Sequence, residues 1–165
     1  MTEFERLREV IARLRAEDGC PWDREQTHVS LKPACIEEAA EVIGGINILE
    51  ATGDPDNLIE ELGDLLLQVV MHAQIAEEEG LFTIEDVCRG SCEKMIRRHP
   101  HVFGSDTHRS AAGNVNAGDV PVTWEEIKKA EKAGKAKTET YLFEAFDESE
   151  RLIARARERK QKANT

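Results

Sequence analysis

The chain has 165 residues, with 33 acidic side chains against 22 Lys plus Arg and a formal net charge of -11. That length suits one domain, and 40% apolar with 33% charged residues supports a real core while excluding a chain unfolded throughout. No apolar run reaches the roughly 18 residues a membrane span needs, and so negative a chain repels nucleic-acid backbones, so neither membrane nor nucleic acid is an expected partner.

The acidic start Met1-Thr2-Glu3-Phe4-Glu5-Arg6 lacks the basic and apolar organisation of a secretory leader. Cys20, Cys35, Cys88 and Cys92 include no CxxC pair, so the expectation is a cytoplasmic protein with reduced thiols. Phe4, Leu7, Val10, Ile11 and Leu14 predict a first helix over 3–16, closed by Asp18-Gly19-Cys20-Pro21. A loop through Cys20-Pro21-Trp22-Asp23 follows. Ser30 is the expected N-cap of a second helix, with Pro33 in its first turn and its end near Ala51. Gly53-Asp54-Pro55 is a turn with Asp54 as N-cap, opening a third and longest helix from Asp56 that ends at Gly80. Thr83 with Asp86 starts a fourth helix, which Pro100 ends near His99.

Residues 104–121 are rich in Ser, Gly, Asn and Asp and read as a loop. Thr123 and Glu126 start a short fifth helix around Trp124. Leu142, Phe146, Ser149, Leu152, Ile153 and Ala156 form a last amphipathic stripe. The basic end Arg155, Arg157, Arg159, Lys160 and Lys162 reads as a solvated or frayed terminus. With no strand pairs, the fold class is all-α: a helical bundle over 1–135, then an amphipathic helix and basic tail over 136–165.

Ile36-Glu37-Glu38-Ala39-Ala40-Glu41 recurs as Ile59-Glu60-Glu61-Leu62-Gly63-Asp64. Residues three apart share a helical face, so Glu38 with Glu41 and Glu61 with Asp64 are two pairs of adjacent carboxylates. At about 100° per residue, Ala39, Val42, Ile43 and Ile46 form an apolar arc beside the first pair, and Leu62, Leu65, Leu66 and Val69 beside the second. Both pairs therefore border an expected buried face. If the second and third helices fold back antiparallel about the Gly53 turn, Glu38 meets the level of Asp64 and Glu41 that of Glu61. Four carboxylates beside a core must take up protons or hold a cation. Oxygen ligands without paired His or Cys select Mg²⁺ or Mn²⁺ over zinc. On the same stripe, His72 reads as a hydrogen-bonded near-core group and Gln68 as a supporting or interface residue.

The fourth helix brings Lys94, Arg97 and Arg98, then His99-Pro100-His101, basic donors of the kind that bind polyphosphate. Cys88 and Cys92, one turn apart, read as packing residues. Leu65, Leu66, Leu67, Val69, Val70 and Met71 cover nearly the whole circumference of the third helix, more than one neighbour can bury, so a homodimer or homotetramer is expected.

Taken in order, Cys20-Pro21-Trp22-Asp23 with Gln26-Thr27-His28, Glu37-Glu38-x-x-Glu41, Glu61-Leu62-Gly63-Asp64-Leu65-Leu66 and Lys94-x-x-Arg97-Arg98-His99-Pro100-His101-Val102-Phe103 resemble the MazG-type nucleoside triphosphate pyrophosphohydrolases. The resemblance covers about residues 15 to 133. It implies an all-α oligomer and Mg²⁺-dependent hydrolysis of nucleoside triphosphates to monophosphate and pyrophosphate, including removal of non-standard nucleotides. Carried over, Glu38, Glu41, Glu61 and Asp64 hold the metal, Lys94, Arg97 and Arg98 grip phosphates, and Trp124 lies near the nucleotide. Glu37, beside the metal pair, is the candidate base. Narrower readings are a dUTP or phosphoribosyl-ATP pyrophosphatase, and a different class is a metal- or nucleotide-binding helical module without turnover. The sequence departs from the family pattern at Ala40, at Lys32-Pro33-Ala34-Cys35, and at Gly44-Gly45, where each Gly weakens a helix interior by roughly 1 kcal/mol relative to Ala.

Overall fold

The computed structural model describes residues 1–103, 124, 128, 129, 131 and 138–163, the side chains of 138–140 excepted, and these contain helices and turns but no strand. The expected loop 104–121 and the helix starters Thr123 and Glu126 lie outside the described residues.

Helix α1 (Glu3–Arg15) opens on a capping box: Thr2 Oγ1 accepts from the Glu5 amide at 3.2 Å, and the Glu5 carboxylate accepts from the Thr2 amide at 2.6 Å. Where a loop was expected, Pro21 starts one helical turn, α2 (Pro21–Arg24). Ser30 does not cap α3 (Lys32–Thr52). Its Oγ accepts from the Thr27 amide at 2.9 Å while Thr27 Oγ1 accepts from the Ser30 amide at 3.1 Å, so the hydroxyl closes the preceding turn and Leu31 takes the cap position. Gly53, at φ 77°, ends α3 with its amide on the Leu49 carbonyl at 2.8 Å, a left-handed cap that glycine adopts without a Cβ penalty. Asp54 Oδ1 accepts from the Asp56 amide at 3.0 Å, and α4 (Asp56–Glu78) follows with Pro55 rather than Asp54 at the cap. Helix α5 (Ile84–Arg98) stops before Pro100, as expected, but the chain re-enters a short α6 (Pro100–Phe103) at once. Helix α7 (Thr138–Ala163) extends well beyond the predicted stripe.

The chain divides into two compact units, Met1–Ile84 with the part of α7 from Ala145, and Glu85–Glu144. In the first, Ile11 of α1, Leu31, and Val70, Met71 and Ile75 of α4 form the core, flanked by Leu7, Leu14 and Leu67. Helix α3 packs on α4, and buried Gly45 permits the approach: a Cβ there would fall 2.9 Å from Leu58 Cα.

The apolar arcs beside the acids are not buried as expected. Ile43 is 61% exposed and Leu62 49%, with Ile46, Leu66 and Val69 also exposed. The reason is geometric: α1 covers the later half of α4, leaving the rows near the acids uncovered among the described residues. Leu142, Phe146 and Ile153 of the α7 stripe are likewise exposed. Cys88 and Cys92 are exposed free thiols, contrary to a packing role.

Candidate functional site

Glu38 on α3 and Glu61 and Asp64 on α4 each direct a carboxylate oxygen into one cluster, the three lying within 4.8 Å of one another, and all three side chains are half-buried. Helical period explains the grouping on α4, since Glu61 and Asp64 are one turn apart. The fold-back at Gly53 brings Glu38 to them. Partial burial, then the charges of Asp64, Glu37 and Glu61, push the Glu38 carboxyl above the usual carboxylate range. Asn57 Nδ2 donates to Glu61 Oε1 at 3.3 Å and steadies that side chain.

Glu41, expected in the same set, stands apart from it. Its Oε1 meets the Lys160 ammonium of α7, which also lies 3.5 Å from Glu37 Oε1. Arg159 donates to Glu37 Oε2. That bond, with the nearby positive charges, holds Glu37 below the usual carboxylate range, the opposite of what a base needs in this conformation. The basic residues of α7 are exposed, as expected, but Arg159 and Lys160 also meet half-buried acids of α3. Lys32 reaches Glu148 at 3.0 Å as well.

His72 is hydrogen-bonded, as its place on α4 implied. Its Nδ1 is 2.7 Å from His28 Nδ1 and its Nε2 3.2 Å from Cys35 Sγ, with the two rings stacked at 5.1 Å. Burial and the neighbouring His28 push its pKa down. Gln68 is buried, and its Oε1 has no hydrogen-bond partner among the described residues.

In the second unit, Arg97 Nε donates to Glu131 Oε1 at 2.7 Å, and Arg98 donates to Glu131 Oε2 through Nε at 3.1 Å and Nη2 at 2.5 Å. Hydrogen bonds from Arg98 and Arg97 push Glu131 down to about 2. The Arg98 guanidinium lies 5.3 Å from the Trp124 ring centroid, and Trp124 meets His99 edge-on at 5.1 Å. Lys94, Arg97, Arg98 and Trp124 thus belong to one compact unit, in which Arg98, Trp124 and His99 touch. Sequence reasoning missed Glu131, Arg159 and Lys160 as partners of site residues. Their contacts are long-range pairings that no helical spacing encodes.

Residues 26–103 match the model of the MazG nucleotide pyrophosphohydrolase domain, and that span contains all five carboxylates and the three basic residues of α5. This segment is similar to MazG domains. Bacillus subtilis "Uncharacterized protein YabN" is 52% identical over 130 residues, 79% of this chain and 24% of its own length. The Thermotoga maritima "Nucleoside triphosphate pyrophosphohydrolase/pyrophosphatase MazG" is 51% identical over 132 residues, 80% of this chain and 46% of its own length. The Escherichia coli K12 "Nucleoside triphosphate pyrophosphohydrolase" is 44% identical over 137 residues, 82% of this chain and 48% of its own length. The chain thus spans about a quarter of the first relative and about half of the other two. Arg159 and Lys160 lie outside the matched MazG residues.

Proposed function

We propose that this chain hydrolyses nucleoside triphosphates to monophosphate and pyrophosphate, using a divalent cation held by Glu38, Glu61 and Asp64, with Glu41 as a further ligand. The convergence of three carboxylates within 4.8 Å carries the reading. Partial burial first, and then the neighbouring carboxylates, disfavour the charged form of Glu38, and a cation offsets both. An all-oxygen donor set favours Mg²⁺ or Mn²⁺. The names of the Thermotoga and Escherichia relatives support the activity.

In this reading α3 and α4 form an antiparallel hairpin, supported by Gly45 facing Leu58 while Glu38 meets Asp64. A divalent cation there supplies Lewis-acid polarisation of the phosphate under attack. Glu37 accepts the proton of the attacking water once Arg159 has left it. Lys94, Arg97 and Arg98 balance phosphate charge, with Trp124 on the nucleotide side. The exposed apolar rows of α3 and α4 support assembly into a homodimer or homotetramer.

A panel of deoxynucleoside triphosphates with Mg²⁺, assayed separately for pyrophosphate and orthophosphate, tests the reaction. Pyrophosphate and monophosphate in equal amounts are expected, and orthophosphate as the sole product rules out the assigned bond. Glu38→Gln and Asp64→Asn lower turnover by at least about 100-fold, since changes in groups that only support ligands already cost 10–100-fold.

A further inference from the structure

We propose that the C-terminal helix is an internal competitor for the cation: Arg159 and Lys160 of α7 occupy Glu37 and Glu41, and divalent metal binding and α7 docking exclude each other. The proposal rests on the metal reading of Glu38, Glu61 and Asp64 above. Lys160 delivers its ammonium to Glu41 Oε1 and lies 3.5 Å from Glu37 Oε1, while Arg159 donates to Glu37 Oε2. Lys32 holds Glu148 at 3.0 Å. Glu148 and Arg159 are about three helical turns apart, so α7 presents both to α3 from one face.

Exposure sets the direction of the device. The Arg159 and Lys160 side chains are 63% and 52% exposed, whereas Glu37 and Glu41 are 17% and 28% exposed. The cations therefore arrive from solvent at acids that cannot leave, and pairs so exposed hold only weakly against water and salt. A divalent ion beside Glu38, Glu61 and Asp64 attracts Glu41 and repels the ammonium next to it. Conversely, docked Lys160 and Arg159 neutralise two of the carboxylates whose charge attracts the metal. The coupling is reciprocal: whatever metal loses to α7, α7 loses to metal. Release of Arg159 also uncovers the Glu37 carboxylate, so one helix restrains both a ligand and the residue proposed as base.

Titration with Mn²⁺, followed by the EPR signal of the free ion, compares the full chain with the double variant Arg159→Gln/Lys160→Gln. Both positions are on the surface, so folding is preserved. The variant is expected to bind Mn²⁺ roughly fivefold more tightly, the combined effect of removing two exposed cations, and high salt narrows the difference. Hydrogen exchange on the unmodified chain is expected to rise across 145–163 when Mn²⁺ saturates it. Equal affinity in the two proteins overturns the competition, and leaves the metal site standing if Glu38→Gln still abolishes binding. No Mn²⁺ binding in either protein overturns both.

Discussion

Arg15 shows how much a single side chain carries that its position in the sequence does not announce. At the end of α1 it reads as a cation placed to complement the helix dipole. In the fold its side chain is 6% exposed and holds three elements: Glu78 of α4 at 2.7 Å, the Asp23 carbonyl of α2 at 2.5 Å and the Gln26 carbonyl at 3.2 Å. Arg15→Ala leaves those carbonyls without their donor in a half-buried setting, and the expected cost is about 2–3 kcal/mol in urea denaturation. An unchanged midpoint refutes the bracing role. The same contact has a pH signature. Arg15, followed by Gln74, holds Glu78 below its ordinary value of 4.5. A depressed carboxylate stabilises the fold above its unfolded pKa and loses that contribution as pH falls through its folded one. Native stability therefore declines below pH 4.5, and the Arg15→Ala variant loses the Glu78 share of that slope.

Two adjacent glycines separate what local pattern encodes from what packing encodes. Gly44 and Gly45 look equivalent in sequence, each a weak point in the α3 interior. A Cβ on Gly44 meets nothing within 4 Å, whereas one on Gly45 falls 2.9 Å from Leu58 Cα. Gly44→Ala is expected to stabilise by up to about 1 kcal/mol through helix propensity. Gly45→Ala is expected to destabilise by about 1–3 kcal/mol, because the backbones of α3 and α4 must separate. Thermal melts of the two variants moving in the same direction contradict this assignment. The helix ends were legible because Gly53 and Pro100 act locally, and Glu61 with Asp64 because helical period alone groups them. The contact between Glu41 and Lys160 was not legible for the opposite reason: Lys160 comes from far along the chain, and a charge run has no spacing that names a recipient. Ser30 failed as a cap because Thr27 offered its hydroxyl a nearer turn.

Taken as a whole, one chain leaves unfinished the burial that its sequence prepares. Ile43, Ile46, Ile59, Leu62, Leu66 and Val69 are all exposed, Ile59 by 65%, and they belong to the two helices that carry the carboxylates. Fully burying one such side chain contributes about 1.5–3 kcal/mol. A row of six, duplicated by a two-fold partner, exceeds the several kcal/mol that association costs. Light scattering after size exclusion is therefore expected to give a multiple of 18.5 kDa, and Ile43→Asp with Ile59→Asp to shift the population toward the single chain. Because a partner binds only the folded chain, the melting temperature of the unmodified protein should also rise with concentration, and that of the variant should not. An unmodified chain that is monomeric at micromolar concentration, with a concentration-independent melt, would mean that these rows face water in the working molecule. The hydrophobic periodicity beside the acids would then need another occupant.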